Sequence, residues 1–92
     1  MVEGFKKWLR EQDMAEGTVK SYAQNMEQYM RWYRESYGEE MTVLIRSNVL
    51  NYRSYLQNVK RLKAVTVNNK LSTLISFDLF LIETGYQSES AV

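Results

Sequence analysis

The sequence has no cysteine, no histidine and no proline, and only four glycines in 92 residues. Without cysteine there are no disulfides, thiolate metal sites or thiol catalysis, and the usage fits a reducing compartment. Without histidine the commonest general base and metal ligand is gone, which closes most nucleophilic and transition-metal chemistry. Carboxylates, lysines and tyrosines remain, but no carboxylate pair lies on an apolar pocket pattern. No apolar run approaches the roughly 20 residues of a membrane span, and no signal-peptide core opens the chain. The expectation is a cytoplasmic protein with no metal, no cofactor, no small-molecule substrate and no membrane partner.

One more absence is local. Residues 41–77 contain no acidic residue but six basic ones, Arg46, Arg53, Lys60, Arg61, Lys63 and Lys70. Residues 1–40 hold six basic and eight acidic residues, and residues 78–92 hold three acidic and no basic ones. The net charge of +1 hides this segregation. One cationic segment in a nearly neutral chain is the footprint of a surface that meets a polyanion.

What is present argues for one small helical domain. Trp8, Trp32, seven tyrosines and three phenylalanines supply a core and exclude disorder. Phe5, Trp8 and Leu9 space a first helix over about 2–12. A second is expected from Thr18, a good N-cap, to about Tyr37. It carries a stripe of Val19, Tyr22, Met26, Tyr29, Met30 and Tyr33, and Gly38 supplies the stop. A third runs from about Ser47 to Val59, burying Val49, Tyr52, Leu56 and Val59. A fourth runs from Thr66 to about Glu83, before Gly85. No segment alternates with period two. The reading is all-α, a four-helix bundle over 1–86, with 87–92 a frayed tail or the start of a linker.

The fourth helix poses the functional question. At about 100° per residue, Val67, Leu71, Leu74 and Ile75 fall on one side, and Asn68, Asn69, Ser72, Thr73 and Ser76 on the other. Short hydroxyl and amide side chains cost helix propensity, so five on one face need a reason. They permit close approach and offer hydrogen bonds to phosphates and base edges. The acid-free helix start presents backbone N–H groups and a positive dipole end. Lys63 and Lys70 add charge nearby. The second helix repeats the pattern with Lys20, Ser21 and Gln24. The competing reading is a helix–helix seam, since small residues also let helices pack closely.

Three features fit neither face. Asp78 stands in line with Leu71, Leu74 and Leu81, where an apolar residue is expected; a tolerated edge position, or a bond to a tyrosine hydroxyl or an arginine, would explain it. Leu79 and Phe80 point toward the side that is polar earlier in the helix, and Trp32 lies off its own stripe. Trp32, Leu79 and Phe80 therefore read as a partner interface, the alternative being that the bundle's own packing absorbs them.

With these residues in view, the chain resembles the core-binding domain of tyrosine recombinases, the SAM-like N-terminal domain of phage integrases. The resemblance covers about residues 5–86. It is carried by "FKKWLREQDMAEGTVKSYAQNMEQYMRWY", "VLIRSNVLNYRSYLQ" and "TVNNKLSTLISFDLFLIETG". Thr18, Tyr22, Val49, Tyr52, Leu56, Asn68, Lys70, Leu71, Leu74, Phe77, Leu81 and Gly85 match in order. The resemblance implies a SAM-like orthogonal arrangement that clamps one face of a core recombination site, mainly through the second and fourth helices. By position it implies DNA contacts from Thr18, Lys20, Ser21, Gln24, Thr66, Asn68, Asn69, Lys70, Thr73 and Ser76, to which the charge reading adds Lys63. It implies double-stranded DNA, a catalytic domain and neighbouring protomers as partners. Two positions depart from the family: Ile75, often basic, and Asp78, often aromatic. The family's catalytic set of two arginines, a lysine, His-x-x-Arg and a nucleophilic tyrosine belongs to a later domain, so this chain is not expected to be an enzyme. The alternative is a helical protein-interaction module that binds no DNA.

Overall fold

The computed structural model describes residues 1–92 and contains helices and no strands. They are α1 (Val2–Glu11), α2 (Glu16–Tyr37), α3 (Arg46–Ser54) and α4 (Ala64–Glu83), with one π-helical turn, Tyr55–Val59, continuing α3. No helix is long and apolar enough to cross a membrane.

Two starts differ from the expected ones by the same offset. Helix α2 begins at Glu16 and α4 at Ala64, so Thr18 and Thr66 are third residues of their helices rather than caps. The capping positions are Ala15 and Lys63, both extended, and neither makes a side-chain cap. Each helix thus opens without the side-chain acceptor that normally marks an N-terminus in sequence. Helix α2 ends as expected: Gly38 takes φ 75°, and its N–H donates to the Arg34 carbonyl at 2.8 Å.

The core has two aromatic centres. Phe5 from α1 meets Phe77 edge-on at 5.0 Å and Phe80 at 5.6 Å, and Trp8 covers Phe80 at 5.9 Å. Trp8 Nε1 also donates to Glu83 at 2.8 Å, fastening α1 to the end of α4. At the other end Tyr29 meets Tyr52 edge-on at 5.0 Å, and Trp32 packs against Tyr52, Tyr37 and Tyr55. Phe80 is therefore a core residue, not an interface anchor, and Trp32 is half-buried among the domain's own tyrosines.

Further expectations are corrected by the packing. Val59 is 69% exposed, because the wider π turn keeps Leu56 inside and rotates Val59 outward. Ile75 is 56% exposed and lies on the outer side of α4, not with Val67 and Leu74. Asp78 is buried, and neither tyrosine nor arginine explains it. It accepts hydrogen bonds from Gln87 Nε2 at 2.6 Å, Ser90 Oγ at 2.8 Å and the Ala91 N–H at 2.9 Å. The segment 87–92, read as a frayed tail or the start of a linker, is folded back onto α4, with Ala91 buried and Gln87 Oε1 accepting from the Leu44 N–H.

Candidate nucleic-acid interface

A polar seam joins α2 to α4. Asn25 stands among the buried residues of α2 and uses every polar atom of its amide. Its Nδ2 donates to Asn69 Oδ1 at 3.0 Å and to Thr73 Oγ1 at 2.9 Å; its Oδ1 accepts from Lys70 Nζ at 3.2 Å. Lys70 Nζ also donates to Gln28 Oε1, and the Thr73 hydroxyl donates to the Asn69 carbonyl. The pairing of Asn25 with Thr73 and of Gln28 with Lys70 makes the two helices run past each other in opposite senses.

This network divides the expected contact residues. Thr73 is fully buried, so it cannot reach a groove; its hydroxyl belongs to the seam. Asn69 remains exposed, but its Oδ1 is committed to Asn25, leaving only Nδ2 free. Bidentate pairing with adenine needs both atoms. Thr66 and Ser76 are half-buried. Asn68 and Ser72 lie on the outer stripe of α4, which also carries Val65, Ile75 and Leu79. Leu79, at 49% exposure, is the one residue of the expected partner interface left largely open.

On α2, Lys20 and Gln24 are exposed, Ser21 is half-buried, and Thr18 is half-buried in the first turn. Their stripe continues at spacings of four, four and three through Gln28 to Arg31. The sequence reading left Asn25, Gln28 and Arg31 outside the site and counted Lys60 only as part of the basic segment. The signal for Asn25 was present: an amide beside the apolar residues Ala23 and Met26. Arg31 and Lys60 join Lys70 and Thr66 around a cleft at the α4 end of the seam.

The electrostatics are set by burial and like charge. Partial burial holds the Lys70 ammonium below its usual pKa, and the neighbouring Lys60 adds to this. The ion pairs in the structure are Lys6–Glu3, Arg10–Glu16 and Arg34–Glu40, so no cation of this face is neutralised by a carboxylate. Lys63 is exposed at the head of α4, whose first turn has no acid. The arrangement offers a positive, amide-rich surface across two helices. No group of three or more acidic side chains is gathered that could hold a metal ion.

Comparison with known proteins gives a consistent picture. Residues 1–80 match the model of the phage integrase N-terminal SAM-like domain. The chain is 40% identical over 88 residues to a protein named TnP I resolvase from Bacillus thuringiensis. That alignment covers 96% of this chain and 31% of the relative, so the chain spans about a third of the relative's length. No solved structure matches it significantly.

Proposed function

The chain belongs to the N-terminal SAM-like domain family of phage integrases, and from that premise we propose that it is the DNA-binding, core-binding domain of a tyrosine recombinase. In this reading it clamps double-stranded DNA at a core recombination site through α2 and α4. It is not itself an enzyme; catalysis belongs to another domain of a longer, cytoplasmic, DNA-associated protein. Residues 1–86 carry the binding surface, and 87–92, folded back on α4 through Asp78, are the start of the link toward that domain.

The observation that carries the reading is Lys70. A lysine normally keeps its ammonium in water, yet this one is drawn into the α2–α4 seam and oriented by Asn25 and Gln28. No carboxylate neutralises it, and Lys60 stands close by. A cation held in place beside another cation is suited to an anion from outside. Lys20, Gln24, Lys63 and the free amide of Asn69 extend the contact along both helices, with Thr18, Ser21, Thr66 and Ser76 at its edges and Asn68 beyond them on the outer stripe. Most of these would meet phosphates, so affinity should be largely independent of sequence.

The test is fluorescence anisotropy with a labelled duplex across a salt series. Binding should weaken steeply as salt rises, and Lys63→Ala with Lys70→Ala should weaken it further and flatten the salt slope by about one unit per lost phosphate contact. Salt-insensitive binding, or none at low ionic strength, would sink the proposal. The outer stripe of Val65, Ile75 and Leu79 supports a second contact, with the catalytic domain or a neighbouring protomer. Leu79→Ser should leave duplex binding by this isolated domain unchanged.

A further inference from the structure

Between the second half of α2, the π turn and the start of α4 lies a cleft of about 440 Å³. Trp32, Tyr52 and Tyr55 line it, and Arg31, Lys60 and Lys70 bring positive charge to it. Trp32 and Tyr55 are each half-buried, with ring centroids 6.1 Å apart, so their rings keep open surface beside the cations. None of the three cations is in an ion pair.

These properties narrow the occupant. Cations facing one concavity raise each other's electrostatic cost, and an anion placed among them lowers it. Aromatic rings next to cations are the arrangement that holds a nucleotide, with the phosphate on the ammonium groups and the base face on a ring. The volume lies in the range of single-ligand sites. A base inside a duplex has both faces covered by its neighbours and cannot present one to a ring.

We infer that this cleft binds a single nucleotide with an unstacked base, its phosphate between Lys60 and Lys70 and its base against Trp32 and Tyr55. Glu35, which also lines the cleft, offers an acceptor to the exocyclic amino group of adenine or cytosine, and adenine, with the larger stacking face, is the base to test first. The nucleotide is either free or part of a single-stranded stretch; the recognition chemistry is the same. The inference rests on the nucleic-acid reading of the adjoining face, but not on duplex binding itself.

The experiment uses the full chain with Trp8→Phe, so that Trp32 is the sole indole. Its emission is followed during titration with dAMP, with a deoxyadenosine single strand of about eight nucleotides, and with a duplex. The single strand should quench Trp32. Quenching by dAMP as well assigns the site to free nucleotides; quenching by the strand alone assigns it to a nucleotide within a chain. Lys60→Ala, at an exposed position, should weaken the response about tenfold. Trp32→Leu, its helicity checked by circular dichroism, should lower single-strand affinity about tenfold and leave duplex affinity unchanged. Single-strand binding with unchanged Trp32 emission, or no binding of either dAMP or the strand, overturns the inference. Loss of duplex binding alone would overturn only the proposed clamp.

Discussion

At the scale of single residues, polar groups inside the domain are matched to partners, with one exception. Asn25 satisfies Asn69, Thr73 and Lys70 together. Replacing it with alanine should destabilise the domain by about 1–3 kcal/mol, because Thr73 and Lys70 lose a buried partner. Urea denaturation measures that loss, and anisotropy should show weaker duplex binding although Asn25 itself is buried. The exception is the Tyr29 hydroxyl, which is buried without a partner. Tyr29→Phe should therefore be neutral or stabilising. Burial, followed by neighbouring tyrosines, pushes the Tyr29 phenol well above its usual pKa, and burial with Tyr55 pushes Tyr52 up to about 12. A phenol whose folded pKa is raised holds its proton longer in the folded than in the unfolded chain. Its contribution is fully present below about pH 10 and is lost as pH rises from there through the folded value. Lys70, held low, acts in the opposite sense approaching that range. Thermal melts should show stability falling above about pH 10, and falling less in Tyr29→Phe.

At the scale of elements, helix existence was legible and helix ends were not. The apolar spacings of Val19, Tyr22, Met26 and Tyr29, and of Val67, Leu74 and Leu81, led directly to α2 and α4. Their first residues were hidden because Ala15 and Lys63 cap without a side-chain bond, which left Thr18 and Thr66 as the visible signals. The seam was hidden for a different reason. A polar residue such as Thr73 reads as solvent-facing unless its partner, here 48 residues away, is known. Asp78 is the same case, its partners lying 9 to 13 residues further along. Phe80 read as open because its cover, Phe5 and Trp8, comes from the other end of the chain. Two glycines at opposite ends of α2 test the element boundaries. Gly17 lies inside the helix with open space where a Cβ would stand, so Gly17→Ala should stabilise by about 0.5–1 kcal/mol. Gly38 sits at φ 75°, so Gly38→Ala should destabilise by about 1–2 kcal/mol. Both are read from urea midpoints.

At the scale of the whole molecule, a domain of 35 × 27 × 20 Å concentrates unpaired cations around the seam between two of its helices. The family was legible from the ordered pattern over four helices, and residues 1–80 match its model. The contact surface was legible only in part. Composition pointed to the start of α4, whereas the folded chain divides that region into a buried seam, a cationic cleft and a mixed outer stripe. On the proposed function, it is the seam face, with Lys20, Gln24, Gln28, Lys63 and Lys70, that meets DNA. Amide chemical-shift mapping during titration with a short duplex at low salt tests it most directly. The predicted result is a contiguous set of shifts over residues 18–31 and 63–73, with α1, Ile75 and Leu79 unmoved. Shifts centred on α1 or on the outer stripe of Ile75 and Leu79, with Lys70 and its neighbours silent, would contradict it.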